Sequence, residues 1–213
     1  MTLAEQLRAT KTAAADHLPA EVATTFAAQQ SALAASTAPT VATGTTLADT
    51  PLITASGNPT TVTRLLGGSP AVLVFYRGGW CPYCNLTLRS YQTDLLPQLE
   101  GLGVKLVAIS PQRPDQTLST QEKAELAFDV VSDPKNVLAG SLGIVDDGSD
   151  DVRSAQASLG LDLGQVNDGG DVRLPMPAVV VIDADLRVLW AEVHPDYTTR
   201  SEPATIIDVV KSL

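Results

Sequence analysis

The chain has 213 residues, of which 44% are hydrophobic and 18% charged, and a formal net charge of −10. That length suits one domain with an extension, and no apolar run approaches the ~18 residues of a membrane span. The acidic balance argues against nucleic acid and against an anionic membrane surface as partners.

The first residues, Met1-Thr2-Leu3-Ala4-Glu5, lack a basic stretch followed by an apolar one. No secretory signal is therefore predicted, and a cytoplasmic location is expected. Residues 1–40 are rich in Ala, Thr and Gln. Leu3, Leu7, Ala14 and Leu18, then Val22, Phe26 and Leu33, follow a loose helical period, so two helices broken near Pro19 are predicted. Such an arm would pack on the domain or on a partner chain, which leaves a homodimer open; a mobile alanine-rich leader is the competing reading.

Residues 41–69 read as the entry to the domain. Thr50 to Thr54 and Thr60 to Val62 are β-like pieces around the turn cluster Ala55-Ser56-Gly57-Asn58-Pro59, which predicts a hairpin. Arg64-Leu65-Leu66-Gly67-Gly68 predicts a short helix ending at glycine. Val72 to Tyr76 is apolar, β-branched and aromatic, as expected of a buried strand. Leu86, Leu88, Tyr91, Leu95, Leu96 and Leu99 then recur at helical spacing, predicting a helix over about 82–100. Val104 to Ile109 is another buried strand, and the βαβ unit so formed predicts parallel pairing and a right-handed crossover.

A helix is predicted over 114–127, a short strand over 128–131 and a short helix from Ser132-Asp133-Pro134. Residues 146–171 hold seven aspartates, five glycines and one basic residue, Arg153. They lack the ligand positions of an EF-hand loop. A solvated loop with a short helix near 151–159 is predicted, which can form one wall of the site. Ala178 to Asp183 and Leu186 to Val193, joined by the turn Asp183-Ala184-Asp185, predict a β-hairpin. Glu202-Pro203 opens a last helix to about 212.

The chemistry concentrates in Arg77-Gly78-Gly79-Trp80-Cys81-Pro82-Tyr83-Cys84, which holds both cysteines of the chain. They fall where the strand ends and the helix begins. Free N–H groups and the positive end of the macrodipole stabilise an anion there, and such surroundings lower a thiol pKa. Cys81 is read as the nucleophile and Cys84, one turn on, as the resolving thiol, with Arg77 adding positive charge. A closed zinc site needs about four ligands, whereas the chain offers two cysteines and the distant His17 and His194. Redox chemistry is therefore preferred over a metal site or inert packing, and no cofactor is called for. Trp80 and Tyr83 flank the thiols as groove residues or as rim packing. His194 is read as a structural or exposed histidine, Asp183 as a turn residue, and Arg200 as an anchor for the last turn or a partner for an aspartate.

Phe75-Tyr76-Arg77-Gly78-Gly79-Trp80-Cys81-Pro82-Tyr83-Cys84 resembles the strand, Trp-Cys-x-x-Cys and helix of the thioredoxin superfamily. With Ala108-Ile109-Ser110-Pro111-Gln112 and Asp196-Tyr197-Thr198-Thr199-Arg200, it is similar to the peroxiredoxin-like branch of the alkyl hydroperoxide reductase/thiol-specific antioxidant family. The resemblance spans roughly residues 42–213. It implies an α/β thioredoxin-like fold, with a central mixed β-sheet flanked by helices over 41–213 and a helical N-terminal extension over 1–40.

The implied activity is reduction of hydrogen peroxide or organic hydroperoxides. A sulfenic acid on Cys81 would be resolved by Cys84 and recycled by thioredoxin, glutaredoxin or glutathione. Pro177 stands where the superfamily places a cis-proline, which would shape the substrate groove with Trp80, Pro82 and Tyr83. Val74 and Gly78 occupy the offsets of the family's proline and threonine before the cysteine. Pro177 occupies the offset of its arginine. Arg77, the backbone N–H groups around Cys81 and, more weakly, Arg173 are the candidate replacements for peroxide activation. Cys81-Pro82-Tyr83-Cys84 also matches the glutaredoxin tetrapeptide. Two other readings thus stay open: a thiol–disulfide oxidoreductase without peroxidase activity, and a redox-switched binding protein.

Overall fold

The computed structural model describes residues 1–114, 120–122 and 125–213. Two helices come first, α1 (Leu3–His17) and α2 (Ala20–Ala35), separated at Leu18-Pro19 as the proline predicts. The strands β1 (Pro51–Thr54) and β2 (Pro59–Thr61) form the predicted antiparallel hairpin. The short α3 (Val62–Leu66) ends at Gly67, whose φ of 59° is left-handed and favours glycine.

The strand β3 (Ala71–Phe75) then runs into α4 (Pro82–Ser90). The helix predicted over 82–100 is not continuous. It passes through a π-helical turn, Tyr91–Leu95, into α5 (Leu96–Gly101). Pro97 supplies the reason: it has no N–H, and its ring would meet the Thr93 carbonyl in a regular helix, so the turn widens upstream.

The strands β4 (Lys105–Ser110) and β5 (Asp129–Ser132) follow. The helix expected over 114–127 lies largely outside the described residues. After a 3₁₀ turn comes α6 (Val137–Ser141). Within the aspartate-rich stretch lie α7 (Asp150–Ser158), close to its predicted bounds, and α8 (Leu163–Val166), which was not expected. Two-residue strands, β6 (Val145–Asp146) and β7 (Leu174–Pro175), close this stretch as a small separate ribbon. The strands β8 (Ala178–Ile182) and β9 (Val188–Val193) form the predicted hairpin, and α9 (Pro203–Ser212) ends the chain.

The sheet order is β2-β1-β5-β4-β3-β8-β9. The predicted βαβ unit gives the parallel β3–β4 pair, and β4–β5 is parallel too. The outer pairs are antiparallel, so the sheet is mixed. Every residue of β3 is buried, which is why the strand reads as a continuous apolar run rather than an alternating one. Val72 and Val74 face a core shared with Leu88, Leu95, Leu99 and Ile206. Leu73 and Phe75 face the other core, with Leu66, Ile109 and Leu138.

The helix α1 belongs to the first of these cores. Leu3 and Leu7 are each only 2% exposed. Thr2 and Glu5 form a capping box, and the Glu202 carboxylate accepts from the N–H groups of Leu3 (3.2 Å) and Ala4 (2.7 Å). First-turn N–H groups that a helix cannot satisfy internally are thus met by a carboxylate from the other end of the chain. Among the described residues no helix is long and apolar enough to cross a membrane.

Candidate active site

The β3–α4 junction builds the site. Gly78 has a φ of 153°, and a Cβ there would lie 2.4 Å from the Trp80 indole nitrogen. The threonine that peroxiredoxins place at this offset is therefore sterically barred. The departure is built into the path of the loop. Gly79 N–H donates to Gln112 Oε1 (2.7 Å), and Asn85 Nδ2 donates to the Gly79 carbonyl (2.7 Å). These bonds fix the loop against the end of β4 and the first turn of α4. Cys81 is the N-cap residue of α4, with Pro82 at the first helical position that suits it. Both cysteines are free thiols and almost wholly buried.

The two sulfurs lie in different surroundings. Burial pushes the Cys81 thiol well up, and its hydrogen bond to Cys84 and the charge there push it further; Arg77 and Arg200 only partly oppose this. Burial also works against the Cys84 thiolate. It is outweighed by the Cys81 thiol, the Arg200 guanidinium and the Arg77 backbone N–H, which hold Cys84 well below the ordinary thiol range. Arg200 Nη2 lies 3.2 Å from Cys84 Sγ. The surroundings thus oppose ionisation at Cys81, expected as the thiolate, and favour it at Cys84. The helix terminus is real, but three directed donors around Cys84 exceed it.

Arg200 is aimed by the backbone before it. Its Nη1 donates to the carbonyls of Tyr197 (2.6 Å) and Thr199 (2.5 Å). The predicted anchoring role in the last turn is present; the contact with Cys84 is the part that sequence reasoning missed. The loop is held in turn by His194, whose ring nitrogens hydrogen-bond Thr199 Oγ1 (2.9 Å) and Ser201 Oγ (3.2 Å). Burial lowers the His194 pKa, opposed in part by Glu192, so the ring favours the neutral form.

Arg77 is stacked between two rings, its guanidinium carbon 4.0 Å from the Tyr197 centroid and 5.1 Å from that of Trp80. Among the described residues no carboxylate pairs with it. Tyr83 packs obliquely on Tyr197, with ring centroids 6.1 Å apart. Arg77, Trp80, Cys81, Pro82, Tyr83 and Tyr197 line one cavity of about 520 Å³. Cys84 does not line it. Residues 156 and 159–161 of the aspartate-rich stretch also contribute to its wall.

Two sequence candidates fall elsewhere. The Met176–Pro177 bond is trans, and Pro177 is buried at the foot of β8, its carbonyl accepting from His194 N–H (2.8 Å). It is not among the residues that line the cavity. Arg173, just before β7, is engaged by Asp171 (2.8 and 2.9 Å) and is not among the cavity-lining residues.

A mixed sheet with two cysteines at a strand-to-helix junction beside it is a thioredoxin-like α/β fold. Residues 43–191 match the model of the AhpC/TSA family, and the chain belongs to that family. Among solved structures it is similar to peroxidoxin BcpB from Mycobacterium tuberculosis, with 21% identity over 82% of this chain and 99% of that one and a TM-score of 0.62. It is also similar to reduced Prx3 from Vibrio vulnificus in complex with hydrogen peroxide, with 21% identity over 80% and 99% of the two chains and a TM-score of 0.63. A cysteine-to-serine variant of peroxiredoxin Q from Xanthomonas campestris aligns at 17% identity over 83% and 99%, with a TM-score of 0.60. At these identities the likeness is one of fold. No curated protein sequence matches the chain.

Proposed function

We propose that the protein is a thiol-dependent peroxidase in which Cys81 attacks the peroxide and Cys84 serves first as proton acceptor and then as resolving thiol. The observation that carries this reading is the split between the two sulfurs. Cys81 stands on the cavity wall, while Cys84 does not line it and has the Arg200 guanidinium 3.2 Å from its sulfur, which favours its thiolate. As a peroxide approaches, the Cys81 proton passes to Cys84. The Cys81 thiolate attacks the terminal oxygen, the O–O bond breaks, and the alkoxide or hydroxide released takes the proton back from Cys84. Cys81 is now a sulfenic acid and Cys84 is again a thiolate. Cys84 attacks the Cys81 sulfur and expels hydroxide, which takes a proton from solvent to become water. Two thiol electrons have reduced one peroxide to an alcohol or water, and a Cys81–Cys84 disulfide remains.

An external dithiol such as thioredoxin, or glutathione, reduces that disulfide by attack on the sulfur nearer the cavity, that of Cys81. Arg77 stabilises the negative charge that develops on the departing oxygen. It is available for this role because it is held by rings rather than by a carboxylate. Arg77 takes the place of the family's Pro-x-x-x-Thr donor.

The test is NADPH consumption with thioredoxin, thioredoxin reductase and a peroxide. Turnover that disappears in Cys81→Ser is expected, and Cys84→Ser, which loses both the proton acceptor and the resolving thiol, is expected to form a Cys81 sulfenic acid more slowly than wild type but to keep it, trapped by a dimedone-type probe. Cys81-dependent reduction of a mixed disulfide without any peroxide turnover would move the assignment to a thiol–disulfide oxidoreductase.

A further inference from the structure

The cavity over Cys81 is built in large part by residues outside the matched family region. Ala14 and Leu18 come from α1 and its C-cap, and Ala23, Phe26 and Ala27 come from α2. The family match begins only at residue 43. The wall is fixed in place. The buried Leu3 and Leu7 root α1 in the core, and Glu202 holds its first turn. In α2, Val22 is buried, and Gln30 Nε2 donates to the Tyr197 hydroxyl (3.1 Å) at the edge of the site.

Size decides what such a cavity suits. A water occupies roughly 30 Å³ of liquid volume, so hydrogen peroxide needs about twice that. The cavity offers about 520 Å³, within the range of pockets that enclose organic ligands. A two-oxygen substrate has no use for that space. Beside Lys11 and Gln30, the residues added by α1 and α2 are methyl, aliphatic and phenyl groups, Ala14, Leu18, Ala23, Phe26 and Ala27, which gain by covering apolar surface. Arg77 and Cys81 line the same cavity from the β3–α4 junction.

We propose that α1 and α2 form a specificity wall, with Ala23 and Phe26 as its selecting residues, that favours hydroperoxides with a bulky apolar body over hydrogen peroxide. The body rests against the α1–α2 wall while the O–OH group meets Cys81 and Arg77. This inference rests on the peroxidase reading for its chemistry but not for its binding surface. The two are therefore tested separately, by turnover and by binding of an unreactive product.

Two probes serve: cumene hydroperoxide as substrate and its alcohol, 2-phenyl-2-propanol, as ligand. Ala23→Phe fills the cavity and Phe26→Ala removes part of its wall; thermal melts of both establish folding. The ratio of kcat/KM for cumene hydroperoxide to that for hydrogen peroxide is expected to fall about tenfold or more in Ala23→Phe, and to fall in Phe26→Ala as well. The alcohol is expected to shift the Trp80 indole N–H resonance saturably in the wild type and much less in Ala23→Phe. A ratio unmoved in both folded variants would overturn the proposal. So would an alcohol that leaves Trp80 untouched while peroxide is still turned over. Saturable alcohol binding, blocked by Ala23→Phe, in a protein that reduces no peroxide would uphold the wall and remove the peroxidase reading.

Discussion

Replacing Arg200 by Met keeps the length and apolar stem of the side chain and removes the donor aimed at Cys84 Sγ from 3.2 Å. A hydrogen bond to a charged group contributes about 1.5–3 kcal/mol, so its loss raises the Cys84 pKa toward the ordinary thiol range. The sign also carries to the reduction potential. Arg200 stabilises a thiolate present only in the reduced form, and stabilising the reduced form makes a dithiol pair more oxidising. Its removal therefore lowers the potential, by about 30–60 mV for a two-electron couple. Two assays read this: the far-ultraviolet thiolate absorbance of the reduced protein as a function of pH, and equilibration of the disulfide against a glutathione buffer. Cys81→Ser should keep the low-pH thiolate transition, since a serine hydroxyl can still donate to Cys84, whereas Cys84→Ser should lose it. An Arg200→Met protein whose transition and potential both match the wild type would refute the assignment of the charge to Cys84. So would a transition that vanishes in Cys81→Ser and persists in Cys84→Ser.

Gly78→Ala places a Cβ 2.4 Å from the Trp80 indole nitrogen in a backbone conformation that costs a non-glycine residue of order 1–3 kcal/mol; a lower melting temperature and a shifted Trp fluorescence spectrum are expected together, and Gly78→Thr should be worse rather than restorative. Burial lowers the His194 pKa, so folding disfavours its proton: the protein should lose stability as pH falls through the ordinary histidine value of about 6.5 toward the lower folded one, and His194→Gln should flatten that part of the melting-temperature profile. Leu7 is 2% exposed against the core, and Leu7→Ala is expected to cost about 2–5 kcal/mol in denaturant unfolding. A mobile arm would instead give an unfolding curve unchanged by that substitution.

Much of the fold was legible because its elements advertise themselves locally. The apolar runs at 72–76, 104–109 and 178–182 are strands buried on both faces, and such strands carry their signal in composition alone. Pro19, Gly67 and Pro203 act on their own backbone, so the breaks and starts they mark fell where predicted. The Pro97 effect was local too, but its consequence appeared one turn upstream, as a π-turn that hydrophobic spacing could not separate from a regular helix.

The dithiol was legible for the same reason: two cysteines three apart at a strand–helix junction specify their own geometry. What only the tertiary structure decided is which sulfur meets an arginine. Arg200 is 116 residues from Cys84 in sequence and meets it because the 194–201 loop folds back on the β3–α4 junction. The wall over Cys81 was decided the same way. The spacing of Leu3, Leu7 and Leu18 foretold a helix, but not that the arm would pack beside the thiols and leave room between. Pro177, placed by sequence in the groove, is buried just before β8 and is not among the cavity-lining residues. Propensity and spacing act within a few residues and are written in the sequence. Charge placement and cavity shape arise from contacts between distant segments, and those exist only once the chain has folded.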